Sequence, residues 1–333
     1  MAKPRILVIY FSQSGQLRNI IDQVLVDVRN KADITYAQII PEKAWPFPWK
    51  ASTFFDAMPE CVVQQPAPVQ PLPASVVQGD YDLVLFGWQP WFLHPSQPIT
   101  AFLQSESAQV LNGKPVVTVI GCRNMWLNAG EKVKEGLRKA GAHHAGNIVL
   151  TDTNTNLVSL LTIIRWSFSG RKEATRWLPA AGVQDRDVEA SRKFGPAILE
   201  AAAAMAANNG VNQPNGEPAM GNGNGNLPSA VAQLHQKLMA LGAISLNTGL
   251  IVLEKRGIKN FRFWAKYIRE KGGPAAPERQ GRVTAFKRLL ITAIFILSPI
   301  SSFTAFLQRK LQQRQLLKDV DYFKSLEYEP GRI

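Results

Sequence analysis

The strongest constraint on the fold of this chain is the pattern of residues 5–25. Residues 6–11 read Ile-Leu-Val-Ile-Tyr-Phe, an unbroken apolar run rich in β-branched and aromatic side chains. Such a run is typical of a strand that is buried on both faces of a parallel sheet. From Leu17 to Val28 the apolar residues recur every three or four positions, which is the spacing of one helix face. The sequence therefore predicts a buried strand, a short polar loop and an amphipathic helix.

The polar loop between this strand and this helix, residues 12–16, is named loop 1 and reads Ser-Gln-Ser-Gly-Gln. Unpaired backbone N–H groups and the positive end of a helix favour an anion at such a place. Gly15 would let the backbone approach a phosphate closely, and the hydroxyls of Ser12 and Ser14 could donate hydrogen bonds to it. Ser14 could equally be a helix N-cap without any ligand. Loop 1 by itself leaves both interpretations open.

Four further segments have the pattern of buried strands and alternate with helical patterns. The strand-like segments are residues 32–40, 81–86, 115–120 and 146–150, and helical patterns lie at 96–103 and 128–140. Five such strands with intervening helices predict an α/β fold with a doubly wound parallel sheet and right-handed crossovers. Ligands of these sheets bind outside the carboxyl ends of the strands. The adjacent histidines His143 and His144 are expected to precede the last strand, with a surface or loop role and not a metal-binding one.

Two more loops are predicted at the same edge as loop 1. Residues 87–92 (Gly-Trp-Gln-Pro-Trp-Phe), named loop 2, and residues 121–126 (Gly-Cys-Arg-Asn-Met-Trp), named loop 3, each follow a strand. Flat aromatic side chains beside a phosphate loop indicate a phosphorylated, planar ligand. Residues 41–75, named the excursion, hold eight prolines and five Trp or Phe residues. Because proline disrupts helices and central strands, we expect no regular structure there. The excursion is then either a lid or wall of the ligand site, or a loop packed over the sheet edge.

These segments together resemble the flavodoxin-like FMN-binding proteins. The resemblance rests on S-x-S-G-Q after the first strand, on Y-D-L-V-L-F-G followed by an aromatic-Pro loop and P-I-T-A-F-L, and on K-P-V-V-T-V-I-G. It implies a five-stranded sheet of order 2-1-3-4-5 that binds FMN at its carboxyl edge. The cofactor-binding residues that it implies are Ser12, Gln13, Ser14, Gly15, Gln16, Gln89, Pro90, Trp91, Cys122, Arg123, Asn124 and Met125. At one position the chain departs from the usual phosphate loop, because Leu17 replaces its closing hydroxyl.

The sequence is also similar to a bacterial family of flavodoxin-like proteins that share the Cys-Arg-Asn-Met-Trp loop and a C-terminal extension. Members of that family are often labelled dialkylresorcinol condensing enzymes. Condensation of acyl thioesters needs a nucleophilic cysteine with histidine partners. Of the two cysteines, Cys61 lies in the excursion and Cys122 has no evident histidine partner. We therefore do not expect condensation chemistry, and the few cysteines and histidines predict neither a disulfide framework nor a metal site.

The chain is predicted to divide into three parts. Residues 1–207 form the flavodoxin-like domain, which includes the excursion and a helical insertion at 153–180. Residues 208–229 are rich in Asn, Gly and Pro and are typical of a flexible linker. Residues 230–333, named the extension, are helical and basic, with seventeen Lys or Arg and seven Asp or Glu among residues 251–333. A surface that binds an acidic partner is therefore expected in the extension.

Residues 289–307 of the extension are nineteen residues without a charge. A single helix of that length would measure roughly 28 Å, close to the hydrocarbon thickness of a bilayer. Lys287 and Arg288 precede the segment, and Arg309 and Lys310 follow it, which favours keeping both ends in the cytoplasm. A re-entrant or interfacial helical hairpin, a true span and a buried helix pair all fit this pattern.

The expected location is the cytoplasm, at the inner face of the cell membrane. The chain begins Met-Ala-Lys-Pro-Arg and runs directly into a strand, so that we expect no secretory signal. Basic residues that border an apolar run suit anionic lipid headgroups. Nucleic acid is not expected as a partner, because the basic residues do not form a polar face of their own.

The sequence is compatible with an enzyme and with a binding scaffold. In the first hypothesis the protein is an FMN-dependent oxidoreductase or electron-transfer protein that receives electrons from NAD(P)H or a redox protein. Its acceptor would be an apolar quinone-like or phenolic molecule, and the sequence names no catalytic acid. In the second hypothesis the domain has lost its cofactor and serves a membrane-associated pathway as a scaffold. Trp88 and Trp91 bear on both hypotheses, because either bulky ring could stack on a flavin or fill its site.

Overall fold

Five parallel strands form the central sheet, in the order β2-β1-β3-β4-β5. The computed structural model describes residues 3–211, 227–246, 248–295, 304 and 310–333. The strands are β1 (Arg5–Tyr10), β2 (Asp33–Gln38), β3 (Leu83–Trp88), β4 (Pro115–Cys122) and β5 (His143–Thr151). This order confirms the predicted doubly wound α/β sheet with flavodoxin-like topology.

Helices connect the strands and continue into the extension. Those before residue 212 are α1 (Gln16–Val24), α2 (Ala51–Asp56), α3 (Met58–Val62), α4 (Ala74–Val77), α5 (Gln97–Leu103), α6 (Leu127–Lys139), α7 (Asn156–Ser169), α8 (Asp185–Ala190) and α9 (Gly195–Val211). Those after residue 226 are α10 (Ser229–Ala232), α11 (Leu234–Ala240), α12 (Thr248–Arg269), α13 (Gln280–Phe295) and α14 (Gln313–Lys324). Helix α9 overlaps the start of the predicted linker, and residues 212–226 of that linker lie outside the described residues.

The packing of α1 on the sheet positions loop 1. Residues 6–9 of β1 are wholly buried, and α1 packs on β3 and β4 with Ile20, Ile21 and Val24 buried. Burying each aliphatic side chain of this size contributes about 1.5–3 kcal/mol. Gly87 of β3 lies under α1, where an added Cβ would sit 2.6 Å from Ile21 Cδ1. A larger residue there would require Ile21 or Tyr10 to shift, so glycine at this position lets α1 pack closely on β3 at the carboxyl edge.

The excursion contains more regular structure than its prolines predict. Helices α2 and α3 lie within residues 41–75, where we expected none. The physical reason is the spacing of the prolines, which cluster at 41–48 and 66–73 and leave only Pro59 between them. Pro59 lies in the first turn of α3, where its missing N–H has no helical partner to lose.

The expected loop position of His143 and His144 is also wrong, because both residues belong to β5. The His144 Nε2 atom lies 3.0 Å from Thr118 Oγ1 on the neighbouring strand. Burial lowers the pKa of this imidazole to about 3, so the ring is neutral. The strand begins earlier than predicted because a neutral ring with a hydroxyl partner can lie within the sheet layer.

The extension packs against the excursion through an apolar cluster and an ion pair. The buried members of the cluster are Phe55, Met58, Val62, Ala265, Ile268, Val283 and Phe286. Beside it, the guanidinium of Arg279 is wholly buried and binds Asp56 Oδ1 at 2.8 Å and Glu60 Oε1 at 2.7 Å. These contacts hold α12 and α13 against α2 and α3.

The proposed membrane segment, residues 289–307, is described only in part. Residues 289–295 end α13, whereas 296–303 and 305–309 lie outside the described residues. In α13 the side chains of Leu289, Ile291 and Phe295 are 44 %, 43 % and 47 % exposed. Over the described ranges, no helix combines the length and the apolar character that crossing a membrane requires.

Candidate functional site

Loop 1 places backbone donors at the N-terminus of α1. Gly15 has a φ of +84°, a left-handed conformation that glycine adopts readily. The backbone N–H groups of Ser14, Gly15 and Gln16 make no hydrogen bond to any residue that the structure describes. The Ser12 hydroxyl is buried and likewise has no partner in the described chain. These donors and the helix dipole together can hold an anion.

The simple capping role considered for Ser14 is not observed. Gly15 occupies the N-cap position, and no side chain caps α1. The Gln16 side chain has a structural role: its Nε2 donates to Val183 O at 2.9 Å, and its Oε1 accepts from Val183 N at 3.1 Å. Gln16 can therefore offer a ligand its backbone N–H, while its amide group anchors the segment between α7 and α8.

Loop 2 continues into a two-residue hairpin beside loop 1. Trp91 pairs with His94, and the tip residues Phe92 and Leu93 have φ values of +49° and +63°. Residues with bulky side chains rarely adopt this conformation, and the strain is of order 1–3 kcal/mol for each. Burial lowers the pKa of His94 to about 4, so its neutral ring donates from Nδ1 to Phe92 O at 2.9 Å. This hydrogen bond stabilises the strained tip.

Two contacts bring loop 2 against loop 1 and against Phe11, the residue before it. Gln89 Oε1 accepts from Gln13 N at 3.5 Å, and the ring centroids of Trp91 and Phe11 lie 5.8 Å apart. Trp88 has a different position, because it is 1 % exposed and its ring reaches toward Gly130 of α6. Trp88 is therefore part of the core, and Trp91 is the loop 2 tryptophan that lies beside loop 1.

The excursion adds an aromatic wall around Trp91. The Trp91 ring centroid lies 5.3 Å from that of Trp45 and 5.2 Å from that of Trp49, in edge-to-face geometry. Gln13 Nε2 donates to Pro46 O at 3.2 Å, which fixes this part of the excursion to loop 1. The buried Nε1 of Trp45 has no partner among the described residues. These contacts place the excursion beside loops 1 and 2 at the carboxyl edge of the sheet.

Loop 3 contacts α7. Arg123 NH1 donates to Asn156 O at 3.3 Å, and Asn124 Nδ2 donates to Asn156 Oδ1 at 3.0 Å. Met125 is partly buried in the same loop. The buried Asn124 Oδ1 and Asp152 Oδ2 atoms lack partners within the described ranges. Loop 3 therefore contributes one polar atom without a partner in the described chain, Asn124 Oδ1, and Asp152 adds a second directly after β5.

Neither cysteine has the environment of a nucleophile. Burial raises the pKa of the Cys61 thiol, which donates to Trp91 O at 3.1 Å. Burial also raises the pKa of the Cys122 thiol, and the nearby Glu254 carboxylate adds to that shift. Because the thiolate is the reactive form, these environments disfavour the attack that condensation chemistry requires.

A carboxylate from the extension occupies the N-terminus of α6. Glu254 is 1 % exposed, and its Oε1 accepts from Asn128 N at 2.9 Å. Burial raises the pKa of Glu254 to about 7, although N–H groups at this helix end act in the opposite direction. Asn128 Nδ2 in turn donates to Leu93 O at 2.8 Å, at the tip of the loop 2 hairpin. The end of α6 is thus filled by the protein itself, in contrast to the end of α1.

Several residues at this edge are not predicted from the sequence as site residues. Trp45, Asn156, Ser159 and Glu254 were not among the candidates. The polar residues Asn156, Ser159 and Thr162 recur at helical spacing in an otherwise apolar helix, which is a signal that the sequence does carry. Glu254 carries no such signal, because its role depends on where α12 docks.

Comparison with known proteins gives a weak likeness. No protein-family model matches the sequence, and no curated protein matches it. A flavoprotein in complex with FMN from Lactobacillus acidophilus NCFM is 18 % identical, with 44 % of this chain and 93 % of that chain covered and a TM-score of 0.35. A protein from Bacteroides uniformis ATCC 8492 that is named as a flavoprotein is 17 % identical, with coverages of 46 % and 94 % and a TM-score of 0.34. The strand order of the sheet is observed directly in the structure. The comparisons give no information about the site.

Proposed function

We propose that this chain binds FMN at loops 1, 2 and 3 and acts as a flavin-dependent oxidoreductase or electron-transfer protein. One observation carries the proposal: unpaired donors and an aromatic wall meet at the carboxyl edge of the sheet. The donors are Ser12 Oγ and the N–H groups of residues 14–16, and the wall includes Trp91 and Trp45. Donors without partners fit a phosphate, and flat rings fit a planar heterocycle.

Each candidate loop has its own role in this proposal. Residues 12–16 of loop 1 hold the phosphate. Residues 89–91 of loop 2 and residues 122–125 of loop 3 orient the ring system, and the excursion excludes water from it. FMN, when bound, supplies the hydride and single-electron chemistry. NAD(P)H or a redox protein is the electron donor, and an apolar quinone-like or phenolic molecule is the acceptor.

The extension is proposed to hold the protein at the inner face of the cell membrane. In α12, Phe263 is 63 % exposed and Tyr267 is 38 % exposed, and the neighbouring Arg262 and Lys266 are also exposed. Aromatic residues among basic residues suit the surface of an anionic bilayer, because the rings can insert at the acyl boundary while the cations contact the headgroups. This placement would bring an apolar acceptor close to the flavin.

Titration of FMN against the purified protein, followed by flavin fluorescence, tests the proposal. We expect quenching that saturates at one FMN for each chain. Ser12→Ala removes one hydrogen-bond donor and is expected to weaken binding about tenfold. Ser105→Ala is the matched control, because that hydroxyl donates to Phe102 O within its own segment. Equal affinities for wild type and Ser12→Ala would remove loop 1 from the site.

One observation favours the scaffold hypothesis as a second candidate. The Trp91 ring is packed by three other aromatic rings, those of Phe11, Trp45 and Trp49. A ring held in this way could fill the space that a flavin would occupy. In that case the folded protein would bind neither FMN nor riboflavin, and Trp91→Ala would create a site for them.

A further inference from the structure

Helix α7 buries polar side chains and exposes apolar ones, which is the reverse of an ordinary amphipathic helix. Its buried residues are Ser159, Thr162 and Trp166, and the two hydroxyl-bearing residues are 0 % exposed. Its leucines, isoleucines and valine are all at least partly exposed, with Leu157 at 50 %. A helix on an apolar core would have the opposite arrangement. The inner face of α7 therefore lies against something other than an apolar core.

The contacts at the two ends of α7 place it over the candidate site. At its start, Asn156 binds Arg123 and Asn124 of loop 3. Near its end, Trp166 lies against Gly182, whose ideal Cβ position is 2.8 Å from Trp166 Cζ3 and 2.5 Å from Gln16 Oε1. Helix α7 thus runs from loop 3 to the start of α1. Ser159 and Thr162 lie between these two anchor points.

The Ser159 hydroxyl has an unusual environment for a helical serine. A serine in a helix commonly donates to the carbonyl four residues earlier, as Ser169 Oγ does to Arg165 O at 2.6 Å. The Ser159 Oγ is buried and makes no hydrogen bond within the part of the chain that the structure describes. Thr162 Oγ1 donates to Ser159 O at 3.0 Å, so the Thr162 hydroxyl has a partner and the Ser159 hydroxyl is the one without. A buried hydroxyl that lacks a partner destabilises a fold unless a ligand or water completes its hydrogen bonds.

We propose that α7 is a lid on the ligand and that the Ser159 hydroxyl donates a hydrogen bond to it. The inference rests on the proposed function, and the group that Ser159 would contact is the hydroxyl- and phosphate-bearing side chain of FMN. Four other buried, unpaired polar atoms lie on the elements around this helix. They are Ser12 Oγ, Trp45 Nε1, Asn124 Oδ1 and Asp152 Oδ2. Ser12 Oγ and Trp45 Nε1 can donate to phosphate or other ligand oxygens, whereas Asn124 Oδ1 and Asp152 Oδ2 can accept from ligand hydroxyls. A ligand that carries both hydroxyl groups and a phosphate matches this set better than an apolar ligand does.

The test combines a titration with amide hydrogen exchange on the full chain. FMN is titrated against wild type, Ser159→Ala and the control Ser169→Ala, whose exposed hydroxyl bonds within its own helix. We expect Ser159→Ala to weaken FMN binding about 5- to 20-fold and Ser169→Ala to leave it unchanged. In wild type, FMN should slow amide exchange across residues 156–169, because a lid that contacts the ligand opens less often in its presence.

The outcomes separate this inference from the proposed function. If wild type binds FMN but Ser159→Ala binds it equally well and exchange in α7 is unchanged, α7 is not a lid and the flavin site stands. If Ser159→Ala does not fold, the exchange measurement on wild type decides alone. If wild type binds no FMN, both the proposed function and the lid are wrong.

Discussion

Glu254 is the residue that most directly links the extension to the candidate site. Its carboxylate lies at the N-terminus of α6, whose first residues also hold the tip of the loop 2 hairpin through Asn128. A wholly buried acid resists ionisation, because the charged form has lost its hydration. The N–H groups of the helix end offset only part of that effect, since the pKa remains raised to about 7.

This raised pKa predicts a stability that falls as pH rises. The folded-state pKa of about 7 lies above the ordinary value, so the contribution of Glu254 is fully present at pH 4 and is lost as pH rises through 7. Between pH 5 and pH 8 the loss is on the order of 2–3 kcal/mol. Urea unfolding of wild type and of Glu254→Gln at both pH values measures it. The two proteins should differ in their pH dependence by this amount, and identical pH dependence would show that Glu254 is not buried as an acid.

At the scale of elements, the helices α2, α3 and α13 are held together by one guanidinium. Arg279 is wholly buried between Asp56 and Glu60, and Asp56 also accepts from Ala275 N and Gln280 Nε2. Removing one partner of a buried ion pair leaves uncompensated charge, and the typical loss is about 3–5 kcal/mol. The excursion and the extension are joined at this point.

Arg279→Ala is therefore expected to lower the free energy of unfolding by about 3–5 kcal/mol, or to release α12 and α13 before the sheet unfolds. Arg192→Ala is the control, because its ion pair with Asp27 is exposed, and no measurable change is expected there. Denaturant unfolding followed by tryptophan fluorescence checks both variants. An Arg279→Ala protein with wild-type stability would contradict the account of how the extension docks.

The elements themselves show which parts of the fold a sequence can predict. The strand and the helix of residues 5–25 were predicted because each has its own spacing of apolar residues, and the loop was predicted because it is the polar segment between them. The helices of the excursion were not predicted, because the high number of prolines was given more weight than the proline-poor stretch between the two clusters. Helix α7 was predicted within the insertion at 153–180. That its polar face is the buried one depends on the loops beneath it, and the sequence of a loop does not show which of its polar atoms lack partners in the fold.

The candidate site likewise has features that the sequence predicts and features that it does not. Loops 1, 2 and 3 could be placed at one edge because parallel strands share a direction. The burial of Trp88 and the use of the Gln16 amide by Val183 could not be foreseen, since both depend on partners distant in the sequence. The same holds for the carboxylate that α12 brings to α6.

For the whole molecule, the distribution of charge and of exposed aromatic residues predicts binding to anionic membranes. Vesicles that contain phosphatidylglycerol should carry the full-length protein with them on centrifugation, and high salt should release it. Reversal of two exposed charges of the extension, in Lys259→Glu/Arg288→Glu, should weaken binding several-fold. Lys31→Glu is the control, because Lys31 is exposed in the turn before β2, at the amino edge of the sheet. Protein that stays in the supernatant with every vesicle composition would contradict the membrane proposal.

The central claim is that the carboxyl edge of this sheet holds FMN, and the visible absorption spectrum of the purified full-length protein tests it most directly. Protein purified in the presence of FMN and then freed of unbound flavin should keep a yellow flavin spectrum that corresponds to about one FMN for each chain. Heat denaturation should release that flavin as intact FMN. A folded protein that keeps no flavin absorbance at saturating FMN would contradict the account.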